Sequence, residues 1–185
     1  MGYGLIVLGV GLWSLAHVFK RLAPERRAAL GEPGKGLVTL GIVAGVLVMI
    51  FGYRWAPYDL LYALGAWTYP VNNLLVLVAF YLFATSGAKT RVAQAVRHPQ
   101  LIGFSIWAVA HLLVNGQVAS LLLFGGLLAW ALAELAILTR LNATATPARP
   151  VPVKKEVSAV VIAIVAYLIV YLIHGWIGPS PTGMG

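Results

Sequence analysis

The chain contains no cysteine, little charge and few acids, and each shortage closes off a class of function. Without Cys there can be neither a disulfide nor a thiolate metal site, so any metal would rest on imidazole, carboxylate or thioether ligands. Charged residues make up 10% and apolar residues 61% of the 185 positions, and the mean hydropathy is +0.89. That balance does not fit a soluble domain of this length. Five acidic residues stand against thirteen basic ones, for a net charge of +8. The basic residues lie in short segments between apolar runs and make no continuous basic face. They read as topology signals beside anionic lipid, and no nucleic-acid partner is expected.

What the chain has is apolar length. About 20 residues at 1.5 Å each cross a hydrocarbon core of about 30 Å, and six segments qualify: 4–19, 36–53, 69–88, 99–114, 118–139 and 157–177, the first and fourth by borrowing flanking residues. The expected fold class is therefore all-α, a polytopic integral membrane helical bundle with six transmembrane helices. It divides into a five-helix membrane core at 1–140, a Pro-containing cytoplasmic linker at 141–156 and a sixth helix at 157–178. Segment 60–67 is too short to cross and, with its Trp and Tyr, reads as interfacial. Asn142-Ala143-Thr144 matches a glycosylation acceptor but falls beside Pro147, Pro150 and Pro152 and is read as linker.

Orientation follows from the cations. Lys20, Arg21, Arg26, Arg27 and Lys35, then Lys89, Arg91 and Arg97, then Arg140, Arg149, Lys154 and Lys155 fall on one side, and Arg54 alone on the other. By the positive-inside rule the first side is cytoplasmic and both termini are non-cytoplasmic. Met1-Gly2-Tyr3 carries no basic n-region, so the first span is expected to remain in the protein and not to be cleaved as a signal peptide. Gly41-Ile42-Val43-Ala44-Gly45 offers a small-residue packing face, and no internal repeat is evident.

Histidine is the informative residue type, because an imidazole in hydrocarbon needs a reason: a metal, a proton or an interhelical hydrogen bond. His17 lies near the end of the first span, with Trp13 one turn before it and Arg21 one turn after. His111 lies inside the fourth span, where Gln100, Phe104, Trp107, His111 and Asn115 are spaced by four, three, four and four residues and share a helical face. That face is expected to look into the bundle, with Asn115 as a partner that orients His111. Counting 1.5 Å per residue, His17 and Glu134 fall within roughly 10 Å of the cytoplasmic boundary and His111 roughly 18 Å in. His98 precedes Pro99 and reads as a helix cap in extended conformation. Arg97 suits an anionic head group, a haem propionate or a topology signal, and Glu134, the only carboxylate inside a span, suits a proton acceptor, a histidine orienter or an ion pair with Arg140. His174, close to Tyr171 and Trp176, reads as part of an interfacial aromatic belt.

Taken together, His17 followed by Arg26 and Arg27, Gly52-Tyr53 closing the second span, the run at 97–116 and Leu122-Leu123-Phe124-Gly125-Gly126 resemble the NnrU-like membrane proteins. These are associated with nitrite and nitric oxide reduction, and their eukaryotic relative is the plant zeta-carotene cis-trans isomerase. The resemblance implies haem b inside the bundle of a bacterial inner-membrane protein, with His17 and His111 as its two metal ligands; the depth count leaves His98 as a fallback partner for His17. Arg97, His98, Trp107, Asn115 and Glu134, read from their places on the helices, complete the expected cofactor-binding set. Implied partners are the lipid bilayer, haem, and nitric oxide or a hydrophobic polyene, with a homo-oligomer or a reductase as macromolecular company. The isomerase pattern has a Cys three residues before its second His; Ala108 stands there in this chain, so ligand exchange through a thiolate is not available. Two further readings stay open. Arg97-His98-Pro99 followed by Gly103 also resembles the membrane methyltransferases of the isoprenylcysteine carboxyl type, which bind S-adenosylmethionine, although a lone Glu134 replaces their paired acids; the other is a non-catalytic accessory subunit of a reductase.

Overall fold

The computed structural model describes residues 1–141 and 149–183. Asn142-Ala143-Thr144, Pro147 and the middle of the expected linker lie outside the described residues. Among the described residues the regular elements are helical: α1 Gly2–Leu22, α2 Pro24–Ala29, α3 Gly31–Arg54, α4 Thr68–Ala88, α5 Arg91–Ala95 and α6 Pro99–Val114. They continue with α7 Val118–Arg140, which contains a π-helical turn at Leu121–Gly125, and α8 Val153–Ile177. Five of these, α1, α3, α4, α7 and α8, are long and apolar enough to cross a membrane. Helix α6 is also apolar but has 16 residues, about 24 Å of rise against a hydrocarbon core of about 30 Å. These helices are those of an integral membrane protein. Their outward apolar side chains, such as Ile162, Ile169 and Leu172 on α8, face what in this setting is lipid.

The chain forms two compact units, Met1–Tyr62 with Asn115–Trp130, and Ala63–Val114 with Ala131–Gly185. In the first, α1 packs along α3 on glycine. A Cβ on Gly9 would lie 2.7 Å from the Met49 nitrogen, one on Gly52 2.7 Å from the Ile6 nitrogen, and one on Gly45 3.0 Å from the Gly9 carbonyl. Lipid gives no hydrophobic reason for two helices to associate, so close backbone approach and the dispersion contact it brings must supply the attraction. The start of α7 joins α1 through the π turn, where Gly126 meets the Val10 side chain. The Tyr53 hydroxyl and Ser120 Oγ are 2.8 Å apart and tie α3 to the same segment. Segment 60–67 forms no helix; its first half pairs with the chain ahead of α7. The Leu61 and Tyr62 N–H groups both donate to the Gly116 carbonyl, Val118 N–H donates to the Asp59 carbonyl, and Leu60 and Gln117 form an antiparallel bridge. Gly116 is buried against the Tyr62 backbone, where any Cβ would collide, and burial pushes the Tyr62 phenol up. At that end the Tyr3 hydroxyl donates to an Asp59 carboxylate oxygen at 2.6 Å.

In the second unit α4 carries both α6 and α8 on its flanks. Gly103 of α6 sits 3.0 Å, at the Cβ position, from the Ala79 carbonyl, and the Phe80 and Tyr167 rings meet edge to face 6.5 Å apart. Helix α4 ends in a left-handed Lys89, and Thr90 Oγ1 then accepts from the Ala93 N–H to open α5. Helix α5 itself is clasped: Gln94 donates to the Arg149 carbonyl and accepts from the Arg149 N–H, and Glu156 accepts from the Arg91 N–H.

His98 corrects an expectation. Its backbone is left-handed, φ +55°, and not extended. The α5 to α6 connection must reverse within a few residues, and the left-handed turn lets the His98 carbonyl accept from both Leu101 and Ile102 N–H. The capping role is therefore performed by the main chain at the start of α6.

Candidate functional site

A common device holds the membrane histidines. In α1, His17 Nδ1 lies 2.8 Å from the Trp13 carbonyl, and in α6, His111 Nδ1 lies 2.9 Å from the Trp107 carbonyl. A carbonyl only accepts, so Nδ1 bears the proton and a neutral ring carries its lone pair on Nε2. In both cases the donor reaches back one turn to a tryptophan whose ring also packs on the imidazole. Ring centres are 4.2 Å apart in the first pair and 4.7 Å in the second, tilted by 37° and 47°. The local sequences, Trp13-Ser14-Leu15-Ala16-His17 and Trp107-Ala108-Val109-Ala110-His111, share the pattern Trp-x-x-Ala-His. This is a short internal recurrence that a search for long repeats passes over. Trp at i−4 supplies a flat wall.

In the first unit Trp130 completes an aromatic box around His17, its ring 4.8 Å from the imidazole and 5.3 Å from Trp13, edge to face in both contacts. Trp130 is buried and was not singled out from the sequence. The signal that could have found it is its place one turn beyond the Gly125-Gly126 pair, where α7 meets α1 after the π turn. π turns add one residue to a helix, shift the register of everything after them and are frequent at functional sites. Asn115 belongs to this unit and is half-buried.

In the second unit the aromatic stripe of α6 is continuous from Phe104 through Trp107 to His111, with successive ring centres 5.1 and 4.7 Å apart. Its N-terminal end departs from expectation, because Gln100 is exposed. The buried positions of α6 are Pro99, Gly103, Ala108 and Ala110, so the small residues make the tight helix contact and the stripe lies beside it. His111 takes its orientation from the Trp107 carbonyl, so a bond from Asn115 is not needed to fix the tautomer. Arg97 is exposed and His98 half-buried, both at the foot of α6, while Glu134 is buried at 5% exposure on α7 and Arg140 is exposed. His174 has a neighbour that the sequence did not indicate: its ring centre is 6.3 Å from that of His111, and its Nδ1 lies 2.8 Å from the Pro179 carbonyl.

Among the described residues no group of three or more His, Asp or Glu side chains could hold a metal ion. Haem needs only one or two axial ligands, and a ligating His normally gives its other ring N–H to a carbonyl or carboxylate, as both Trp-anchored histidines do.

A protein-family model described as NnrU protein matches residues 5–181 of the chain. No curated protein and no solved structure matches it.

Proposed function

The chain belongs to the NnrU family, and from that membership we propose that it is a membrane haem b protein of nitrite and nitric oxide metabolism, holding the cofactor through His17 and His111. The observation that carries this reading is the doubled Trp-x-x-Ala-His turn. Two half-buried imidazoles in apolar helices are each fixed in the tautomer that offers Nε2 to a metal, and each is walled by an indole. A buried imidazole kept only for packing would not need the same tautomer set in the same way twice. Trp13, Trp107 and Trp130 provide flat apolar surface of the kind a conjugated macrocycle packs on, and Arg97 at the foot of α6 suits a propionate. Haem in such a place supplies an iron that exchanges one electron and takes diatomic ligands. The residues of this chain orient the ligating nitrogens and keep water from them.

A polyene isomerase is the less supported reading, because Ala108, fully buried and one turn before His111, stands where the isomerase branch has its Cys. A methyltransferase is less supported again, since Glu134 brings no second acid in sequence near it.

The test is purification in mild detergent and spectra of the oxidised, reduced and nitric-oxide-treated protein, as isolated and after haemin addition. A Soret band with a six-coordinate, thiolate-free signature is expected. His17→Ala and His111→Ala should each lose haem or turn five-coordinate. A protein that stays colourless after haemin addition, or single variants both indistinguishable from wild type, overturns the assignment.

A further inference from the structure

We propose that His111 and His174 together bind one transition-metal centre through their Nε2 atoms, with His174 of α8 as a ligand on the same metal that His111 holds. If that centre is the haem iron, whose two axial positions admit no third imidazole, the inference rests on the haem of the reading above and puts His174 in the place given there to His17; if it is a bare divalent ion, it stands apart. Both sources share one chemistry, a borderline metal taken by two neutral imidazoles.

The geometry points to this pair from three directions. First, two imidazoles on one metal have bonds of about 2.0–2.1 Å each, and each ring centre lies roughly 1.1 Å behind its nitrogen, which puts the centres about 4.5 Å apart when the bonds meet at a right angle and about 6.3 Å apart when the nitrogens face each other across the metal. The observed separation is 6.3 Å, with the rings inclined by 51°. Second, both rings have the tautomer that a metal requires, since His111 Nδ1 is bonded to the Trp107 carbonyl and His174 Nδ1 to the Pro179 carbonyl. The two anchors differ in kind. One is a turn of helix and the other a chain that leaves α8 through an extended Gly178 and returns past it, held by the bond from Asn73 Nδ2 to the Pro181 carbonyl. Third, each histidine lies in the last turn of its helix. Helix C-termini present unsatisfied carbonyls and partial negative charge, which favours a cation, and here two of them meet.

The experiment uses the full chain in mild detergent, stripped with chelator, with Cu2+ alone as one probe and haemin alone as the other. If the proposal holds, one equivalent of Cu2+ binds with an electron paramagnetic resonance spectrum split by two nitrogens. His111→Ala and His174→Ala each weaken that binding at least tenfold, and His17→Ala binds as wild type. His174→Gln, which retains a side-chain donor for Pro179 and keeps the C-terminal turn, should lose Cu2+ as His174→Ala does, separating ligation from packing. With haemin, His174→Ala should alter the coordination spectrum. Cu2+ binding with two nitrogens in a protein that takes up no haemin would retain the His111–His174 site with a bare ion and remove the haem reading. Haemin binding that depends on His17 and His111, with wild-type Cu2+ affinity and wild-type haem spectra in both His174 variants, would overturn the proposal and leave the haem reading in place.

Discussion

His98 and Lys89, the two non-glycine residues with left-handed backbones among the described residues, stand on either side of α5. A side chain at positive φ costs about 1–3 kcal/mol, least for Asn, Asp and His and most when branched at Cβ. Replacing His98 with Gly should therefore be tolerated, while His98→Val should leave the protein about 1–2 kcal/mol less stable than His98→Gly, read by thermal unfolding in detergent. Equal stabilities would mean that the turn relaxes out of the left-handed region. A second residue-scale expectation concerns reactivity. If imidazoles fill both axial positions of a bound haem, a small ligand must displace one of them, and fully buried Ala108 offers no thiolate to take its place. Carbon monoxide should then bind the ferrous wild type slowly and a single His variant faster in stopped-flow mixing. Immediate binding to the wild type would point to an open coordination site instead. At this scale the sequence was legible in residue type and spacing, as the ring contacts from Phe104 to His111 attest. It was not legible for His174, whose approach to His111 depends on how α6 and α8 both lie on α4, a long-range arrangement that no local pattern carries.

At the scale of elements the glycines separate by what a methyl group would meet. Gly9 and Gly52 face backbone atoms 2.7 Å from an ideal Cβ, whereas Gly4 and Gly11 in the same pair of helices meet nothing within 4 Å. Gly9→Ala and Gly52→Ala should force α1 and α3 apart and cost about 1–3 kcal/mol. Gly4→Ala and Gly11→Ala should be neutral or stabilise by up to about 1 kcal/mol through helix propensity. Detergent thermal melts of the four variants check this, and four equal shifts would remove the seam as the source of α1–α3 association. All six apolar runs became helices, because length and hydropathy leave the backbone no other way to satisfy its hydrogen bonds in lipid. Their ends ran past the apolar residues. Helix α1 continues through Lys20 and Arg21, whose long side chains can reach the interface, and α8 starts at Val153 directly after Pro152, with Lys154, Lys155 and Glu156 as good helix formers. The π turn at Leu121–Gly125 was hidden, since an unbroken apolar run has no periodicity to lose.

At the scale of the whole molecule the count of crossings turns on α6, the one apolar helix too short by the measure that the other five meet. If α6 does not cross, the segments holding Arg140, Arg149, Lys154 and Lys155 change sides, and the basic residues divide eight (5 + 3) against five (1 + 4) where six crossings give twelve against one. The positive-inside rule strongly favours the second division. A contact within the first unit supports the same choice: the turn after α6, Gly116 to Val118, is hydrogen-bonded to residues 59–62, which follow α3 and precede α4. That segment also receives Tyr3 from the N-terminus. Connections that touch share a side of the bilayer, so α6 should begin with the cations and end opposite them, with its polar flanks Arg97-His98 and Asn115-Gly116-Gln117 making up the missing length. We therefore predict six crossings, both termini outside the cytoplasm. Because the chain has no cysteine, a single introduced thiol is the only one a probe can find. In intact spheroplasts a membrane-impermeant maleimide should label Tyr58→Cys and Ser180→Cys at once, and Lys35→Cys and Lys155→Cys only after permeabilisation. Labelling of Lys155→Cys in intact cells, with Ser180→Cys protected, would mean five crossings and an α6 that does not traverse the bilayer.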